Sequence, residues 1–304
     1  MQFLHRKRKH CGLKAHLIAP FFLLVVSQSS FGQATAPAVS GDTTHTFFNR
    51  KNVITYGLVA HTVFTTYVEY QWWWKGDYHP FQYRFEGFLN DYSRGVDKIG
   101  HFYTSHFYFT ALHNLMAWGG YDESTNLWVS SLIPALYALS IEIGDGYSTY
   151  QFAPDDLALN LLGIGYGILQ VNYPFFDNFK IKWSYYPSAT HLNTFKHPFS
   201  DDYDNHIYWI SVNVHNLLPR AVGKYWPKFL NVAFGYGGQN ISKGSSGPQL
   251  RKFAISLDYN LTTIPLEGET WDVVKNIVDL FHFPAPGVRF VETEPAEFRP
   301  VLLH

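Results

Sequence analysis

The chain has 304 residues, with 23 Lys plus Arg against 24 Asp plus Glu, 15 His and a single Cys. It is 46% hydrophobic, 18% aromatic and 15% charged, where an ordinary soluble domain carries about 25% charged residues. These figures exclude a disordered chain, a nucleic-acid binder with a basic face and a disulfide scaffold. They fit a globular protein that touches a membrane or gathers aromatic rings at an interface.

Arg6, Lys7, Arg8, Lys9 and Lys14 form a basic start, followed by an apolar core over 17–26 and small residues before Gln33. This is the layout of a secretory signal peptide, residues 1–32, and it predicts export to a bacterial envelope. Removing it leaves 18 basic against 24 acidic residues, a formal balance of −6. Cys11 precedes the apolar core, so the pattern predicts no lipid anchor. Residues 33–45, rich in Ala, Thr, Ser and Gly, read as a disordered leader.

Four stretches without Asp, Glu, Lys or Arg follow: 52–68, 99–121, 124–141 and 157–176. Each is too long for one strand and close to the roughly 20 residues that cross a bilayer as a helix. Their Thr, Ser, Asn, Tyr and His content suits a buried soluble bundle equally well. A four-helix hydrophobic bundle over 46–176, in lipid or out of it, is therefore expected. Pro154, Asp155 and Asp156 suit a first turn, Gly119-Gly120 and Gly144 and Gly146 suit helix ends, and Gly163-x-x-x-Gly167 permits close helix approach. Trp72-Trp73-Trp74-Lys75 reads as an interfacial anchor or an aromatic lid.

After residue 177 the period changes. Phe179-Lys-Ile-Lys-Trp-Ser-Tyr reads as a strand, 208–214 as strand or amphipathic helix, and 271–281 as a helix. Phe253, Ile255, Leu257, Tyr259 and Leu261 alternate with smaller or polar residues, as do Leu230, Val232, Phe234 and Tyr236. The expected fold is mainly α, an α+β chain whose bundle precedes a small antiparallel β-containing region over 177–304. Asp201-Asp202-Tyr203-Asp204-Asn205 reads as a polar turn, lacking the glycine of a calcium loop.

In an up-and-down bundle the start of the second helix, the end of the third and the start of the fourth share one end. That topology gathers Asp97, Lys98, His101, Glu142, Asp145, Asp156 and Asn160, with Glu69 beside them. Asp97 and His101 share a helix face at i, i+4, as do Asp156 and Asn160. Four readings stay open: a hydrogen-bonded structural network, solvated loop ends, a pocket for a lipid or cell-wall headgroup, and a divalent-metal site. In the last, Asp97, His101, Glu142 and Asp156 are the ligands of a metal-assisted hydrolase and Asp145 its base. No nucleophile elbow, phosphate loop, His-Glu-x-x-His or cysteine zinc pattern occurs. His61, His106 and His113 lie in apolar runs and read as core histidines; His191, His197, His206 and His215 give no ligand spacing. The expected partner is a membrane or envelope lipid, not a nucleic acid.

Asp97-Lys98-Ile99-Gly100-His101-Phe102, Glu142-Ile143-Gly144-Asp145-Gly146 and Asp156-Leu157-Ala158-Leu159-Asn160-Leu161-Leu162-Gly163 together resemble the uncharacterised envelope family typified by the periplasmic lipoprotein YfiM. More distantly they resemble the VanZ-like membrane proteins. The resemblance covers about residues 80–175 and implies an envelope location and a helical core, with no reaction attached. Two departures stand out: this chain has no lipidation cysteine after an apolar core, and Asp145 stands where VanZ-like proteins often place Gln.

Overall fold

The computed structural model describes residues 49–88, 91–187, 199–242 and 245–302. The signal peptide, the leader, Cys11, His191 and His197 lie outside the described residues. The chain divides into two compact units, one ending at Tyr67 and one beginning at Val68. Helix α1 (Arg50–Glu69) lies almost wholly in the first. It runs on into a π-helical turn, Tyr70–Trp74, within the second.

In the second unit three long helices follow, α2 (Val96–Trp118), α3 (Glu123–Gly146) and α4 (Pro154–Asn172). Their starts are written in short polar side chains. The Ser93 hydroxyl accepts the Asp97 amide at 2.9 Å and donates to Asp91 at 2.6 Å. Arg94 and Gly95 turn the chain through left-handed backbone into α2. Asp122 caps α3 by accepting the Thr125 amide, and Pro154 opens α4, where its missing N–H costs nothing. Gly163 and Gly167 let α4 lie against α2: a Cβ at Gly163 would sit 2.1 Å from the Phe102 carbonyl oxygen, and one at Gly167 would strike the Phe109 ring.

The rest of the chain forms β1 (Phe179–Tyr185), β2 (His206–Val212), the short helices α5 (Val214–Leu217) and α6 (Arg220–Gly223), β3 (Leu230–Gln239), β4 (Leu250–Tyr259), α7 (Glu269–Val278), β5 (Ala285–Val291) and β6 (Glu297–Leu302). The six strands pair antiparallel in the order β1-β2-β3-β4-β5-β6. The four-helix bundle with a small β region is thus corrected. Three long helices, not four, share the second unit with a six-stranded meander, and a fourth helix, α7, packs on α2. The reason is local: β2, β5 and β6 lack the clear alternation of β3 and β4, so half the sheet is faint in the sequence.

The sheet is also unusual in which residues it hides. The buried face carries Ile207, Trp209, Ala233, Ala254 and Leu302 together with Lys182, Ser211, Asn231, Ser256 and Asp258. Gly235 makes room there for the Trp209 ring, which a Cβ would meet at 2.7 Å. Burying that indole contributes roughly 5 kcal/mol, taking about 200 Å² at ~25 cal/mol per Å². The opposite face is the apolar one. Trp183, Tyr208, Tyr236, Phe253 and Phe290 form one cross-strand row, and Ile181, Ile210, Phe234, Ile255, Val288 and Phe298 form the next. Tyr103 of α2 packs on the first row at Trp183 and Tyr208, with ring centroids 5.9 and 5.7 Å away. Phe234, Phe253, Ile255 and Phe298 remain exposed.

Among the described residues one helix, Glu123–Gly146, is long and apolar enough to cross a membrane. The other three stretches do not meet that measure. Along α3, Trp128, Leu132 and Ile143 are exposed.

Candidate functional site

The first turn of α2 and the first turn of α4 meet at a cluster of charge. Lys98 Nζ, at a side chain only 2% exposed, lies 2.5 Å from Asp156 Oδ1, 3.3 Å from Asp155 Oδ2 and 3.8 Å from Asp97 Oδ2. Glu86, from the segment before α2, accepts a hydrogen bond from the same ammonium at 2.8 Å and pairs with Arg84. One helical turn along, His101 Nε2 stands 3.8 Å from Asp97 Oδ1 and 3.7 Å from Asp156 Oδ1. Its Nδ1 is 3.2 Å from the Asn160 amide nitrogen, and Asn160 Oδ1 accepts the Ser105 hydroxyl at 2.7 Å. Asp97, Lys98, His101, Asp156 and Asn160 are therefore brought together.

Glu142 and Asp145 take a different part. Glu142 accepts the Ala153 amide at 3.0 Å, fixing the chain as it turns into α4. Asp145 accepts the Trp74 indole N–H at 2.7 Å, so this tryptophan is buried and only Trp72 of the Trp72-Trp73-Trp74 run is strongly exposed. Glu69 pairs with the Tyr137 hydroxyl on α3. His106 is wholly buried in the core. The turn around Asp204 is structural: its carboxylate accepts the Ile241 and Ser242 amides and the Ser245 hydroxyl.

Sequence reasoning missed Glu86, Asp155, Tyr203 and Tyr92. Tyr203 donates to Asp97 Oδ1 at 2.9 Å from a turn 106 positions away, and its hydroxyl also meets that of Tyr92. No local spacing announces a contact of that range. Asp155 was legible only as a helix-start residue; it is fully buried, and neither carboxylate oxygen has a hydrogen-bond partner among the described residues.

Burial dominates the electrostatics. It raises Glu142 to about 8, Asp145 to about 6 and Asp156 to about 6, against the pull of His101 on all three. For Lys98, burial acts to lower the pKa, but Asp156 and Asp97 outweigh it and hold the ammonium charged. His101 follows the same logic: burial opposes protonation, and Asp97, Asp156 and Glu142 reverse the balance, raising its pKa. Acids outnumber bases here, so the site suits a positive ligand. Asp97, His101 and Asp156 each offer a ligand atom within 4.8 Å of the others. The 3.7 and 3.8 Å separations are near the roughly 3.4 Å between ligands of a tetrahedral ion with bonds of about 2.1 Å. The competing cation is Lys98, which already holds the same Asp156 oxygen.

Residues 86–172 match the model of the family described as "Predicted periplasmic lipoprotein (DUF2279)". This is the envelope family that the three motifs resemble, and the matched segment contains all seven cluster residues expected from sequence. The match lends nothing to the VanZ-like resemblance. The family description gives a place, the periplasm, and no activity; it supports an exported envelope protein. It also names a lipoprotein, against the expectation drawn from Cys11, which lies outside the described residues. No curated protein and no solved structure gives a match.

Proposed function

From the membership of residues 86–172 in that envelope family, we propose that the protein is a membrane-associated binding protein whose acidic cluster receives an ammonium-bearing headgroup. The observation that carries this reading is the surface beside the cluster. Tyr78, Phe81, Tyr83, Phe85 and Phe88 are all exposed, on the same segment from which Glu86 reaches Lys98. Aromatic rings collect at the depth of lipid headgroups, where an apolar body and a wet rim are both satisfied. An acid-rich cluster set behind such a rim complements a cationic headgroup. Asp97 and Asp156 supply the charge, and His101 is the more open member between them.

Co-sedimentation of the mature protein with vesicles tests this directly. Vesicles of phosphatidylethanolamine and phosphatidylglycerol are expected to carry the protein down, and phosphatidylglycerol alone to carry much less. Tyr83→Ser with Phe85→Ser weakens binding to the mixed vesicles, and Asp97→Asn removes the preference for the ammonium headgroup. Equal binding to both vesicle types sinks the headgroup reading, and no binding to either sinks membrane association.

The ligand-like spacing of Asp97, His101 and Asp156 favours a second reading, metal-assisted hydrolysis of a lipid or cell-wall substrate. There Asp97, His101 and Asp156 would hold the ion, which would polarise the scissile bond and lower the pKa of an attacking water. Elemental analysis of wild type beside His101→Ala separates the two: stoichiometric metal in wild type alone supports the ion, and none in either removes it.

A further inference from the structure

A second site lies away from the charged cluster, where the end of α4 and the loops of the sheet enclose a cavity of about 570 Å³. That is within the 300–1,000 Å³ typical of ligand pockets, yet its lining reverses the usual balance of mostly apolar walls with a few polar groups. Six asparagines line it, with Thr262 and Thr263; Asn178, Asn213, Asn260 and Asn276 each spend one side-chain atom on a hydrogen bond within the protein and keep the other, while Asn216 is exposed. Pro174 alone among its lining residues has an all-carbon side chain. An acyl chain or an aromatic ring would leave many of these polar groups without a partner.

Part of the cavity wall belongs to a buried polar network. Asn231 is 2% exposed; its amide nitrogen donates to Ser211 at 3.0 Å, and its Oδ1 has no hydrogen-bond partner among the described residues. Ser211 in turn donates to Asp258, which holds Lys182 at 2.8 Å and His282 at 2.9 Å. Lys182 also holds Asp279, a further wall residue, at 2.8 Å. Every member of this network is buried. It leaves Asn231 Oδ1 as an acceptor of the network without a hydrogen-bond partner among the described residues, a group that a ligand hydroxyl can satisfy. At the mouth the charge is positive. Lys180 is matched by Asp177, while exposed Lys228 has no ion-pair partner among the described residues, and His215 commits its Nδ1 to the Trp226 carbonyl.

We infer that this cavity is a binding site for a short glycan bearing an acidic group. Carboxamides both donate and accept, as sugar hydroxyls do, so a row of them reads a polyhydroxylated chain along its length. Asn231 Oδ1 accepts a hydrogen bond from a sugar hydroxyl, and the Lys228 ammonium pairs with the carboxylate. The inference is independent of the headgroup reading, since no residue of the charged cluster lines this cavity.

Calorimetric titration of the mature protein with tetragalacturonate, neutral chitotetraose and inorganic phosphate tests it. Tetragalacturonate is expected to bind, chitotetraose more weakly and phosphate not at all. Asn216→Ala, at an exposed position, lowers the affinity for both sugars about tenfold, the change expected for one lost hydrogen bond. Lys228→Ala, also exposed, lowers only that for tetragalacturonate, and Asp97→Asn alters neither. Absence of sugar binding at millimolar ligand, unchanged affinity in Asn216→Ala, or phosphate binding as tight as the acidic sugar would each overturn the assignment.

Discussion

Lys98 Nζ and Asp156 Oδ1 lie 2.5 Å apart across 58 positions of sequence, joining the first turns of α2 and α4. The ammonium serves several carboxylates at once, so its removal leaves buried Asp155 without its cation, Glu86 with Arg84 alone and Asp156 with His101 alone. Breaking a buried pair from one side costs roughly 3–5 kcal/mol. Lys98→Met is expected to lower the unfolding free energy by that amount, measured by urea denaturation. A loss under about 1 kcal/mol would mean that the cluster is hydrated rather than dry.

Stability is expected to fall from mildly acidic to mildly alkaline pH. Burial raises Glu69 to about 7, opposed by the Tyr137 hydrogen bond and helped by Asp145. An unfolded chain ionises this carboxyl near 4.5, so above that pH the unfolded state holds fewer protons than the folded one. The stabilisation is complete below 4.5 and is lost as pH rises through about 7, an effect of roughly 3 kcal/mol at most. Glu142 acts in the same direction up to about 8. Glu69→Gln should flatten the decline in melting temperature between pH 4.5 and 8; an unchanged slope would assign it elsewhere.

Two glycines two residues apart on α4, and so on different sides of the helix, should respond oppositely. A methyl at Gly163 meets the Phe102 carbonyl at 2.1 Å, and backbone cannot step aside as a side chain can. Gly163→Ala is expected to cost about 1–3 kcal/mol. Gly165 has nothing within 4 Å, so Gly165→Ala should gain about 0.5–1 kcal/mol from helix propensity. Chemical denaturation of the two single variants compares them directly.

The sheet offers a similar contrast between neighbours. Phe234 is half exposed, and Phe234→Thr should change stability by at most about 1 kcal/mol. Gly235→Ala presses a methyl into the Trp209 ring and should cost about 1–3 kcal/mol, visible as a shifted tryptophan emission before unfolding.

That contrast also explains what the sequence could convey. The three long helices follow the uncharged stretches closely because their ends are marked by Asp122, Pro154 and paired glycines. The meeting of Asp97, His101, Asp156 and Asn160 follows from connectivity, since short links force neighbouring helices to turn back on one another. In β4 the alternation of Phe253 and Ile255 with Ala254 and Ser256 is plain, but its sense is inverted: the small and polar residues are buried and the large apolar ones are not. Periodicity reports that two faces exist, not which one the protein covers. Lys182, Asp258 and His282 went unread for the same reason, each being an ordinary surface residue by type. Tyr203 and Glu86 enter the charged cluster through contacts no spacing rule reaches.

The meander places β6 last in its sheet, with one edge unpaired among the described residues. An open edge beside a half-exposed apolar face invites a second molecule to add its own strand. β6 carries Glu297, Arg299 and Pro300 within six residues. The proline removes a donor and the charges resist being dried, so this margin is poorly suited to seed fibres or sheet-to-sheet aggregates. The polypeptide can thus leave greasy rings uncovered while it travels, yet deny them the backbone template that would make exposure dangerous.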